Sequence, residues 1–166
     1  PNPPLWLQKG FAVYFETAVY DRDKKNALLE DNLGWVDTLK GYIDAGGDGG
    51  LMPFPTLLTL DTDAANANLN LFYSQSWGLV YFLLHTDDPV YNRVLWDAIS
   101  ALEKENTRKE NELAVIKKAF EWVAKTDFVN AFESYMEGVM TFPDLVETGM
   151  DAYSAGQFER AGSLFN

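Results

Sequence analysis

Leu71-Phe72-Tyr73-Ser74-Gln75-Ser76-Trp77-Gly78-Leu79-Val80-Tyr81-Phe82-Leu83-Leu84-His85 is the stretch that decides the fold of this 166-residue chain. Tyr73, Trp77, Tyr81 and Leu84 recur at i, i+4, i+8 and i+11, the helical period. Phe72, Leu79, Val80, Phe82 and Leu83 make the other faces apolar too. A helix that is apolar all round belongs inside a fold, with other helices packed about it.

Downstream, Pro89 interrupts the pattern, and Val90 to Lys104 reads as a further helix through Val94, Leu95, Ala98, Ile99 and Leu102. Thr107-Arg108-Lys109-Glu110 has the form of a capping box and is expected to open a helix running to about residue 124. Asp127 is placed to cap the next helix, with Phe128, Phe132, Tyr135 and Met136 on one side. Pro143 marks a boundary, after which Asp144 to Ala155 and Gln157 to Phe165 read as two helices about Gly156.

Upstream, Pro3-Pro4 precedes Leu7, Phe11, Tyr14 and Phe15 at helical spacing, which predicts a helix over about 4–20. Leu33 to Ile43 reads as a shorter helix, and Ala45 to Gly50 as a breaker. Residues 44–70 are the least regular part, with one helical turn expected over Thr56 to Leu60. No alternating strand stands out. The expected class is all-α.

Composition narrows the chemistry. The chain has no cysteine, so disulfides and thiolate sites are excluded, and His85 is its single histidine. A two-histidine zinc site cannot be built from these residues alone. Net charge is −12, and no Lys or Arg lies between Lys40 and Arg93. Nucleic acid and anionic membrane surfaces, which both need basic residues, are not expected partners. No apolar run reaches the length of a membrane span. The acidity reads first as a solvated face and second as attraction for a cationic partner or metal.

Trp6-Leu7-Gln8-Lys9-Gly10-Phe11-Ala12-Val13-Tyr14-Phe15-Glu16 resembles the W-L-x-E-G-[FLM]-A-x-Y-F-E helix of gluzincin (peptidase-MA-like) zinc metallopeptidases. The likeness continues in order and spacing through Asn32-Leu33-Gly34-Trp35, Gly46 to Gly50, Met52 to Leu58 and Tyr73 to Leu84, and covers about residues 1–140. It implies a multi-helix lobe like the C-terminal subdomain of those enzymes, following their H-E-x-x-H helix. In the family the Glu before the Gly is the third zinc ligand, and that position here is Lys9. An ammonium cannot ligate zinc. The resemblance therefore implies a metallopeptidase-like domain that is catalytically inactive in this chain and binds a peptide or protein partner. Zinc enters only if an H-E-x-x-H lies upstream, in which case the chain is the C-terminal lobe of an active peptidase. The candidate cleft residues are Lys9, Gly10, Tyr14, Tyr73 and Trp77. The likeness also points to a bacterial protein, exported or periplasmic.

Ala152 to Ala161 is similar to a tetratricopeptide (TPR) unit, aromatic-x-x-Gly-x-aromatic-x-x-Ala. The expected organisation is a peptidase-like lobe over 1–142 and a TPR-like hairpin over 143–166. A single such unit does not bury its own face and needs neighbours. An alternative reading is a helical interaction scaffold with a protein partner on that hairpin. Among other patterns, His85 precedes Asp87 and Asp88 at a helix end, where a cationic imidazole is favoured. Asp61-x-Asp63 with Asn66 and Asn68 hints at a calcium loop, but its sixth position is Asn66 and its twelfth Phe72, against the EF-hand form. Gly46 to Gly50 lacks the Lys-Ser/Thr of a phosphate loop.

Overall fold

The computed structural model describes residues 1–28 and 33–164 and is mostly helical. The chain divides into two compact units, Pro1–Met136 and Glu137–Asn166. In the first, α1 (Leu5–Tyr14) leads through a hairpin, β1 (Val19–Asp21) and β2 (Asn26–Leu28), towards α2 (Val36–Ala45). Three short helical elements follow: a 3-10 turn over Gly47–Gly49, α3 (Phe54–Leu58) and α4 (Thr62–Ala67). Next come α5 (Leu69–His85), α6 (Pro89–Ser100), α7 (Arg108–Val115) and α8 (Lys125–Gly138). The second unit holds α9 (Phe142–Ser154) and α10 (Phe158–Leu164).

The core is built on α5. From Leu71 to Leu83 every residue is buried except Tyr73, which is half-buried. Two glycines set how closely the neighbours approach. A Cβ at Gly10 would overlap the Ser76 carbonyl oxygen and come within 2.6 Å of Val80 Cγ2, so α1 lies backbone-close to α5. A Cβ at Gly78 would overlap Leu39 Cδ2 of α2 and sit 3.5 Å from Phe132 Cζ of α8. At the far side Phe82 meets Phe128 and Phe132, each at 5.9 Å between ring centres, and Phe54 of α3 meets the same two rings at 5.1 and 5.3 Å. Edge-to-face pairs of this kind are each worth about 0.5–1.5 kcal/mol beyond the area they bury.

Buried polar groups on α5 and α7 fasten the irregular segments. The Gln75 amide donates to the Met52 carbonyl at 2.7 Å and accepts from the Met52 N–H at 2.9 Å, as a strand neighbour would. Asn111, wholly buried, accepts from the Glu103 N–H at 3.0 Å and donates to the carbonyls of Asn2 and Glu103 at 3.0 and 3.1 Å. One side chain thus ties the N-terminal segment to the loop before α7.

Several sequence expectations are corrected. The first helix stops at Tyr14, short of residue 20. Val19 and Tyr20 suit extended backbone, and the Asp21 carboxylate accepts the N–H groups of Asp23 and Lys24, turning the chain into an antiparallel pair that the sequence did not announce. The second helix begins as a 3-10 turn at Leu33 and ends at Ala45, where Gly46 takes φ +56°. The turn expected over 56–60 lies over 54–58, because Pro53 precedes it and Pro55 suits its first turn. Residues 62–67 are an unforeseen helix capped by the Asp61 carboxylate, which accepts from the Ala64 N–H at 2.8 Å. The helix from Val90 ends at Ser100, not Lys104.

The Thr107–Glu110 capping box forms, but the α-helical ladder it opens ends at Val115 and widens into a π turn over Ile116–Phe120. Asp127 does not cap α8; it lies in the first turn of a helix that starts at Lys125. Thr141 forms a capping box with Asp144, so α9 begins at Phe142 with Pro143 inside its first turn. Asn32 and Phe165 lie outside the described residues.

Two outcomes follow from this packing. Gly10→Ala gains up to about 1 kcal/mol of helix propensity but pushes a methyl into backbone, at a cost of about 1–3 kcal/mol, so it lowers the urea midpoint. Gly78→Ala meets only the tip of a leucine, which can rotate away, and is expected to change the midpoint less. The second outcome concerns Glu112, which is buried on α7; desolvation raises its carboxyl above the usual range, against the pull of Arg108 and Lys109. A raised folded-state value means that the protonated form stabilises the fold at low pH, and this contribution is lost as pH rises through that value. Glu112→Gln is therefore expected to melt higher than the parent at neutral pH, with the gain shrinking on acidification.

Candidate functional site

Helices α1 and α5 run in the same direction: Gly10 faces Ser76 and Val80, and Tyr14, one turn on, faces Tyr81 and His85. Lys9, Gly10 and Tyr14 thus lie on the helix packed against α5, and Trp77 lies on α5 itself. Lys9 is half-buried and has no hydrogen-bond or ion-pair partner among the described residues. Trp77 is wholly buried, and its ring lies 5.2 Å from Tyr81, which stacks on His85 at 4.3 Å. The i, i+4, i+8 spacing of these three rings makes a ladder leading from the core to the exposed end of α5. Tyr73 lies one turn before Trp77; its rings of contact are Trp35 at 6.4 Å and Phe72 at 5.6 Å.

The Tyr14 hydroxyl and His85 Nε2 are 2.8 Å apart. A neutral imidazole accepts there from the phenol, and a protonated one donates to it, so the pair survives either state. Seventy-one positions separate these residues, and no spacing argument links them. The carboxylate of Asp88 accepts the Val90 N–H at 2.8 Å and caps α6.

Three buried polar atoms at the α1–α5 pair have no partner among the described residues: the indole nitrogens of Trp6 and Trp77 and the Ser76 hydroxyl. Indole N–H groups only donate, so they can take an acceptor and not a cation. Among the described residues no group of three or more His, Asp or Glu side chains is placed to hold a metal ion. The Asp61 carboxylate of the calcium-like Asp61-x-Asp63 pattern is engaged in capping α4.

One concave feature has no counterpart in the sequence reading. A cavity of about 560 Å³ opens between α3, the π turn and the start of α8. Pro53, Phe54, Leu58, Ile116, Phe120 and Phe128 form its apolar walls, and Glu121 and Lys125 also line it. Its sequence signals, two prolines and a helix interrupted before Lys125, are too general to have located it. No helix of the described residues is long and apolar enough to cross a membrane.

Tyr14→Phe is expected to leave the ring packing intact and to lower stability by about 0.5–1.5 kcal/mol, the usual net worth of one hydrogen bond. Urea denaturation checks the loss, and the imidazole resonances of the single histidine report the altered neighbour.

Compared with protein-family models, with curated proteins and with solved structures, the chain matches none.

Proposed function

We propose that residues 1–136 form a metallopeptidase-like helical lobe that has lost metal chemistry at its third-ligand position and binds peptide without cutting it. The observation that carries this reading is the place of Lys9. It directly precedes Gly10, whose close fit against Ser76 and Val80 leaves no freedom of register along α1. That close fit supports the reading, in which the position that the W-L-x-E-G likeness assigns to a zinc-ligating carboxylate carries an ammonium. A fixed positive charge there repels Zn²⁺ and attracts a carbonyl oxygen or a peptide carboxylate instead.

The test is zinc content after dialysis of the full chain, together with cleavage and binding of unfolded casein peptides. Substoichiometric zinc, saturable peptide binding and no cleavage are expected. Lys9→Glu should weaken peptide binding while changing stability by no more than about 0.5 kcal/mol, as for a substitution away from the core. One tightly held zinc per chain, or cleavage that a chelator abolishes, would overturn the proposal.

A second reading, a helical scaffold with a protein partner on the C-terminal hairpin, is favoured by a separate observation. The large apolar side chains of α9 and α10 include several that are mostly exposed.

A further inference from the structure

In the second unit α9 and α10 pack through small residues: Gly149 and Ala152 of one and Ala161 of the other are buried. That narrow seam covers only part of the apolar arc of α9. Phe142, Val146, Met150 and Tyr153 recur at i, i+4, i+8 and i+11 and form a continuous stripe beside it. Phe142, Met150 and Tyr153 are 75, 60 and 63 % exposed. Phe158 of α10, also 63 % exposed, meets Tyr153 edge-to-face at 5.3 Å and extends the stripe across the turn. Isolated exposed apolar residues need no explanation, but a contiguous aromatic stripe rimmed by charge marks a surface that something covers.

The rim identifies the occupant. Glu147 and Asp151 follow the stripe residues by one position on successive turns, on the side away from the α10 seam, and both are exposed. Glu159 is exposed on α10. Arg160 is the only Lys or Arg after Lys125, and its guanidinium donates to the Gln157 side chain at 3.2 Å. A second copy of this chain would bring the same acidic rim and a net charge of −12 against it.

We propose that the α9–α10 stripe docks a cationic amphipathic helix of a partner protein, whose apolar face covers Phe142, Met150, Tyr153 and Phe158 and whose basic flank meets Glu147 and Asp151. The proposal rests on the scaffold reading and adds the chemical class of the partner. Affinity comes from the rings, which bury large area at low conformational cost. The carboxylates select the sign of charge and speed the encounter.

The test uses the full chain and fluorescent peptides of about 18 residues, long enough for about five turns. One is an amphipathic Leu/Lys helix, one a Leu/Glu helix of the same pattern, and one a Leu/Lys peptide of scrambled order. The Leu/Lys helix is expected to bind at least about tenfold more tightly than either control. Met150→Ser with Tyr153→Ser should remove about tenfold of that affinity, and Glu147→Gln with Asp151→Asn should remove much of its salt dependence. These positions are exposed, so the variants should fold, which circular dichroism confirms. Equal binding of ordered and scrambled Leu/Lys peptides would reduce the effect to overall charge and overturn the proposal. Stripe-dependent binding of the Leu/Glu helix would overturn the cationic partner and keep the scaffold. Peptide binding indifferent to the stripe variants would overturn both. Self-association that the stripe variants abolish would assign the surface to a second copy and overturn the proposal.

Discussion

The backbone-close approach of α1 to α5 at Gly10 is the constraint on which the first unit depends. Backbone against backbone leaves no soft side chain to absorb error, so the two helices have one workable register. That register puts Tyr14 opposite His85, leaves Lys9 on the flank, and closes the core over Trp6 and Trp77. The Gly78 approach to α2 is softer, because Leu39 supplies the opposing atom and can adjust. One rigid and one compliant seam hold the same central helix.

The packing also accounts for how the long irregular span after α2 is ordered. It buries Phe54, Leu57, Leu58 and Leu60, but these fall on short elements with no long apolar period to set the path of the chain. Gln75 holds Met52 by both backbone groups, Asp61 caps α4, and Asn68 accepts the Leu71 N–H at the start of α5. A buried amide that satisfies both its donor and its acceptor stabilises modestly when intact and costs heavily when half broken. Directional bonds therefore add to apolar burial in fixing this span.

Legibility in the sequence followed the length scale of each interaction. The α5 helix was readable because burial on every face needs apolar residues at every position. The capping box at Thr107 was readable because its two partners are three residues apart. The end of α1 was not legible because its apolar pattern continues through Phe15, whereas the helix tightens and stops where the N–H groups of Glu16 and Ala18 bond back to the Val13 and Phe15 carbonyls. Asn111, Gln75 and the Tyr14–His85 bond join distant segments, and no local pattern marks them. Of the candidate residues, Lys9, Gly10 and Tyr14 share one helix and were singled out by the W-L-x-E-G likeness along it. Their relation to Trp77 is a matter of helix packing, and Tyr73 lies instead against Trp35 and Phe72.

The π turn at Ile116–Phe120 has a consequence for how this lineage can vary. The Glu121 N–H reaches back to the Ile116 carbonyl at 3.0 Å, five residues away, so this turn holds one residue more than an α-helical ladder accommodates. Phe120 owes its position, 6.1 Å from Trp6 and edge-on to it, to that surplus residue. Excising one residue would restore the regular ladder and swing everything after it by about 100° around the helix axis. Phe120 would leave Trp6, and the wall it lends to the apolar cavity would turn away. The segment tolerates substitution of its side chains far better than a change in its length.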